Sequence, residues 1–99
     1  MVQIRWSKQA SLDLKEIYDF ISRDSRHYAR LEVVRIKTKT DLLKTNPLLG
    51  NMVPELGRAE IRQLIQRNYR IIYKIIDENR IDILIIHHSS RDLSKRSLT

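Results

Sequence analysis

The isoleucine-rich stretch from Glu60 to Asp92 constrains this fold more than any other part of the chain. Apolar runs alternate there with short polar breaks, and the pattern predicts three strands folded back on one another. They span approximately Glu60 to Gln66, Tyr69 to Asp77 and Arg80 to His88. Arg67-Asn68 and Glu78-Asn79 suit two-residue turns, because asparagine tolerates the positive φ such turns need. Arginines, tyrosines and histidines interrupt the runs where a purely structural sheet would carry blander residues. That mixture of core and polar chemistry points to function.

The preceding residues predict helices. Val2 to Trp6 alternates apolar and polar as a short strand does, and Ser7 is a good N-cap. Ala10, Leu14, Ile17 and Ile21 then recur at helical spacing. The cluster Ser22-Arg23-Asp24-Ser25 breaks that pattern, and Asp24 or Ser25 can cap a second helix running to about Lys44. Its seam is Ala29, Val33, Ile36, Thr40 and Leu43, so the two helices should pair as an antiparallel hairpin. Pro47 stops the second helix. The prolines and glycines all fall between Pro47 and Gly57, which marks a long loop. The expected fold is α+β in the order β-α-α-β-β-β, a single domain with a helical hairpin on one face of a small, mostly antiparallel sheet.

Two-residue turns set a register. Gln66 then faces Tyr69, Leu64 faces Ile71 and Arg62 faces Tyr73; Tyr69 faces His88, Ile71 faces Ile86 and Tyr73 faces Leu84. The opposite side carries Ile61, Gln63, Ile65, Arg70, Ile72, Lys74, Ile83, Ile85 and His87. Both faces are apolar, and one hairpin covers only one of them. The other face calls for a partner, or else for the long loop and the segment Leu93–Thr99 to fold over it.

The 99 residues contain no cysteine, which leaves no disulfide or thiolate chemistry. No apolar run approaches the ~20 residues of a membrane span, and the first residues lack the pattern of a signal peptide. A cytoplasmic protein without membrane partners is expected. The formal net charge of +7 exceeds what solubility requires in a small domain and favours acidic partners.

Several segments resemble the ParE/RelE toxin superfamily of bacterial type II toxin–antitoxin modules. They are Ser-Leu-Asp-Leu-Lys-Glu-Ile-Tyr-Asp-Phe-Ile, Asn-Pro-Leu-Leu-Gly-Asn-Met-Val-Pro-Glu-Leu, Ile-Arg-Gln-Leu-Ile, Asn-Tyr-Arg-Ile-Ile-Tyr-Lys-Ile and Ile-Leu-Ile-Ile-His-His-Ser-Ser-Arg-Asp-Leu. Their order and spacing, taken together, carry the likeness. It implies a toxin of a plasmid-stabilisation module, neutralised by a cognate antitoxin through an acidic, partly disordered segment that folds on binding. The superfamily divides by target. ParE-like members inhibit DNA gyrase, and RelE-like members cleave mRNA on the ribosome.

Cleavage needs a base for the 2′-hydroxyl, a cation for the phosphorane and an acid for the leaving oxygen. The resemblance would assign Arg70 to the phosphate with Arg62 beside it, Glu55 as base, and His87 or His88 as acid. Each has a structural alternative: Glu55 as a solvated loop residue, Arg70 paired to a carboxylate, His88 hydrogen-bonded to Tyr69, and His87 solvated at the strand end. Adjacent strand histidines point to opposite faces and do not chelate, so no metal site and no cofactor are expected. The loop Pro47–Gly57 lacks lysine, and the segment after Arg91 lacks tyrosine, unlike the nuclease pattern. The ParE-like reading is therefore preferred, with Arg62, Arg70, Tyr73, His88 and Arg91 as target or antitoxin contacts. A basic nucleic-acid-binding or interaction module ranks third, because 6% aromatic content gives no stacking platform.

Overall fold

A computed structural model describes residues 1–96 and 98. The elements are β1 (Gln3–Trp6), α1 (Lys8–Ser22), α2 (Arg26–Asp41), a 3₁₀ turn (Leu42–Lys44), β2 (Asn51–Met52), β3 (Ile61–Gln66), β4 (Tyr69–Asp77), β5 (Arg80–His88) and a second 3₁₀ turn (Leu93–Lys95). The helices form a hairpin on one face of a five-stranded sheet ordered β1-β5-β4-β3-β2. The β1–β5 pair is parallel and the rest are antiparallel. The α+β expectation holds, with β2 as an addition inside the long loop.

Local chemistry explains the helix boundaries. Ser7 Oγ accepts from Ala10 N at 2.9 Å, and Ser25 Oγ accepts from Tyr28 N at 3.2 Å, so each helix begins at a hydroxyl cap. α2 ends at Asp41, earlier than expected, and its last turn tightens into the 3₁₀ turn before Pro47. The helix seams pack on the sheet as their spacing predicts. Leu14, Ile17 and Ile36 join Leu64, Ile71, Tyr73 and Ile86 in one core.

The β3–β4 register is the one counted from the turn, including Gln66 opposite Tyr69 and Arg62 opposite Tyr73. The positive φ in that turn falls on Arg67, at 52°. In the second hairpin, Tyr69–His88 and Ile71–Ile86 pair as expected. A bulge then corrects the register, because Ile72 pairs with Ile85 whereas Tyr73 pairs with Ile83. Leu84 is the extra residue. Ile83 therefore joins the helix-side core, and Leu84 turns to the opposite face.

The need for a partner over that opposite face is also corrected. Val53, Ile61, Ile72, Ile85 and Leu93 form a second buried core there, with Leu84 and Leu98 packed against it. β2 pairs with β3, and Val53 N donates to Ile61 O at 3.1 Å, which folds the long loop around the sheet edge. The chain thus covers Ile61, Ile72 and Ile85 itself, and Ile65 on the same face stays 46% exposed.

β5 presents a further problem that α1 resolves. β1 pairs only with Arg80 to Ile83, so the rest of β5 lacks a strand on that side. Ser7 Oγ donates to Leu84 O at 2.7 Å, and the Asp13 carboxylate accepts from Ile86 N at 3.0 Å. Asp13 is 5% exposed, and it also accepts from Arg96 Nη2 at 2.6 Å and Gln9 Nε2 at 2.9 Å. Removing it strands a backbone N–H and a half-buried guanidinium. Asp13→Ala should lower unfolding free energy by about 2–4 kcal/mol. Urea denaturation checks this, and a loss below about 0.5 kcal/mol would mean that the network is dispensable.

Candidate functional site

On the second sheet face the structure brings Glu55, Arg70 and His87 together. Arg70 and His87 are cross-strand partners on β4 and β5. Arg70 Nε donates to Gln63 Oε1 at 2.8 Å, while Nη1 and Nη2 donate to the two Glu55 carboxylate oxygens at 2.7 and 2.8 Å. This fork-to-fork pair uses the whole binding edge of the guanidinium. Arg70 thus takes the carboxylate-paired alternative, and Glu55 is its partner instead of a free loop residue. The hydrogen bond from Arg70 holds the Glu55 carboxyl well below its usual range, from 4.5 down to about 2. A carboxylate of that strength is a poor acceptor for a hydroxyl proton. His87 is only 2% exposed, which corrects the expectation of a solvated strand end. Its Nε2 donates to Arg91 O at 2.9 Å, and Nδ1 is buried without a partner.

Arg62, Tyr73 and His88 do not join that group. Arg62 Nε donates to Gly50 O at 2.8 Å, and Nη1 donates to Ala59 O at 3.3 Å. Tyr73 is fully buried, donates to Pro47 O at 2.9 Å and accepts from Gly50 N at 3.0 Å. Both side chains therefore anchor the loop. A Cβ on Gly50 would come within 2.4 Å of Gln63 O and 2.9 Å of the Tyr73 ring, so the close approach demands glycine. His88 meets Tyr69 edge to face at 5.4 Å, and its Nδ1 takes the Ser90 hydroxyl at 2.6 Å; ring contact replaces the expected hydrogen bond to Tyr69. His88, Tyr69 and exposed Arg91 border a groove of about 420 Å³ against Ile17 and Phe20.

A larger groove of about 720 Å³ runs along the helical hairpin. Trp6, Leu14, Tyr18 and Val33 give it an apolar floor, and Lys15 and Lys37 stand among its lining residues. Among the described residues, no group of three or more His, Cys, Asp or Glu side chains is placed to hold a metal ion. Likewise, no described helix is long and apolar enough to cross a membrane.

This architecture has known counterparts. Residues 4–93 match the family model described as the ParE toxin of the type II toxin–antitoxin system, parDE. The chain belongs to the ParE toxin family. A solved structure titled "Chromosomal ParDE TA system from P. aeruginosa" shares the fold, with a TM-score of 0.72. That match is 23% identical in sequence and covers 89% of this chain and 96% of the other. No curated protein matches the chain.

In this ParE-family toxin, sequence reasoning named the loop and strand residues but gave no role to Asp13, Gln63 or Gly50. Asp13 had a readable signal. It lies three residues after Ala10 and four before Ile17, on the buried side of α1.

Two measurements test the loop anchors. Tyr73→Phe removes the donor to Pro47 and leaves Gly50 N without its acceptor, and should lower stability by about 1–3 kcal/mol in chemical denaturation. An unchanged midpoint would show that Tyr73 does not hold the loop. For Glu55, a folded-state pKa depressed below 4.5 means that its contribution is complete above pH 4.5 and is lost as the pH falls through about 2. Acid titration of unfolding should show this decline in the unsubstituted protein and a smaller one in Glu55→Gln. Superimposable profiles would remove the ion pair as a contributor.

Proposed function

We propose that this chain is a ParE-type inhibitor of DNA gyrase, held inactive by its antitoxin in the cytoplasm and serving plasmid stabilisation. One observation carries the choice of target: the Glu55–Arg70 fork. Phosphoryl transfer needs a guanidinium open to phosphate and a base able to accept a proton. Here the two groups satisfy each other at 2.7 and 2.8 Å. His87 is buried, and Arg62 is committed to the Gly50 carbonyl. These features favour a toxin that acts by contact.

The hairpin groove supports the antitoxin reading. Its apolar floor, with lysines from both helices, suits an amphipathic acidic segment that orders as it binds. Ribosome-dependent mRNA cleavage is the second reading, favoured by the meeting of Glu55, Arg70 and His87 on one face. It requires Glu55 to swing away from Arg70.

Paired assays separate the two. Purified toxin should lower gyrase supercoiling and accumulate cleaved DNA, leave translated mRNA intact, and lose its effect when antitoxin is added. Unchanged supercoiling at excess toxin rejects gyrase as the target. Cut mRNA that becomes intact in Arg70→Ala would establish the nuclease instead.

A further inference from the structure

The positive charge of this protein is unevenly placed. α1 carries three carboxylates and two lysines, whereas α2 carries five arginines and lysines against two carboxylates. Neither of those two carboxylates offsets the outer face of α2. Glu32 is 5% exposed, and Asp41 is 3.5 Å from Lys44. Among the described residues, Arg26, Arg30 and Arg35 form no salt bridge. Lys37 lines the hairpin groove, while Arg26, Arg30, Arg35 and Lys39 stand outside its lining.

Helix stability does not explain this arrangement. Arg26 opens α2, where the macrodipole favours a carboxylate, and no acidic residue occupies the first turn. Arg26 with Arg30, and Arg35 with Lys39, are like-charge pairs four residues apart, which repel across one turn. Local rules broken repeatedly on one face point to a contact made by that face.

A cation from the sheet joins it. Arg67 sits in the β3–β4 turn at φ 52°, and its guanidinium lies 3.9 Å from Glu32 Oε2 while its side chain stays 63% exposed. Lys39 Nζ donates to Ile65 O, which holds that lysine between α2 and β3. Exposed Thr38 and Asn68 add neutral donors. Apolar anchors are scarce, since Val34 is the one exposed aliphatic side chain of α2. Protein–protein interfaces deplete charge at their centres, whereas protein–DNA interfaces are polar and strongly positive. From Arg26 to Lys39 the helix runs roughly 20 Å, about six phosphates along one DNA strand.

We infer that the outer face of α2, with Arg67 beside it, docks on the phosphate backbone of duplex DNA. The choice of DNA rests on the gyrase reading above, because gyrase holds the duplex on which the toxin would act. Arginine and lysine bind the phosphates, Thr38 and Asn68 donate to them, and no base is read. The contact holds the toxin at any DNA sequence the enzyme engages.

Fluorescence anisotropy of a short labelled DNA duplex with purified toxin, across a salt series, tests the inference. Log affinity should fall against log salt with a slope of about −4. Replacing Arg30 and Arg35 together by Ala should reduce the slope to about −2 and weaken binding about tenfold or more at fixed salt. Alanine is a strong helix former, so this variant keeps its helix. Replacing the same two by Lys keeps the charge and should keep most of the affinity. Arg67→Gly removes the turn cation where glycine accepts the backbone φ, and should lower the slope by about 1. Should the alanine pair not fold, Arg67→Gly decides. Arg5→Ala with Lys8→Ala removes equal charge from the far side, since α1 packs over β5 and α2 reaches β3. That pair should cost less than about threefold, because distant surface charges are screened. Equal losses from both alanine pairs would mean attraction by net charge alone and overturn the assignment to α2. Tighter binding of a matched RNA duplex overturns the choice of DNA. An Arg30/Arg35 alanine pair that keeps DNA affinity but loses antitoxin gives the face to a protein partner and also overturns it. No duplex binding, with gyrase supercoiling still inhibited, overturns the inference and leaves the gyrase reading standing. Duplex binding through α2 with supercoiling unchanged supports the surface and rejects gyrase.

Discussion

The fold depends on how the outer half of β5 finds its hydrogen bonds. β5 runs from Arg80 to His88, but β1 reaches only Ile83. Buried backbone groups beyond that point would each cost on the order of 1–3 kcal/mol if left unpaired. The first helix meets this demand with Ser7 on the Leu84 carbonyl and Asp13 on the Ile86 amide. Those two contacts fix the angle at which α1 crosses the sheet. α2 follows through its seam against α1, and the helix-side core then closes over Leu64, Ile71 and Ile86.

The bulge at Leu84 belongs to the same arrangement. It aligns Ile83 with the helix-side core and sends Leu84 to the other face. That second face is closed by the long loop and the C-terminal segment. Glu55, Arg62, Arg70 and Tyr73, which by residue type alone look like a site for phosphate chemistry, hold that loop in place. Arg96 adds the last tie, because it reaches back to Asp13 on the first helix.

Much of this was legible in the sequence where the governing physics is local. Ser7 was a recognisable cap and Ser25 one of two candidates, the helical seams followed from spacing, and the β3–β4 register followed from a two-residue turn. The bulge was not legible, because Ile83, Leu84 and Ile85 are all apolar and either face would accept each of them. Which of the two possible covers closes the second face was hidden for a related reason. Val53, Leu93 and Leu98 are single apolar residues in irregular segments, with no period to reveal where they pack. Arg70 and Glu55 were each identified, but their pairing joins a loop to a strand fifteen residues away, a contact that no spacing rule gives.

The Asp13–Arg96 contact also bears on when the toxin becomes a toxin. Its partners are 83 residues apart, and the β1–β5 pairing likewise joins the first strand to the last. Contacts of such long range slow folding, because loop closure must precede any gain from pairing. On a growing chain, β1 and the Asp13 carboxylate have no partners until β5 and Arg96 have been made. The finished surface therefore forms only after the last strand and Arg96 have been made.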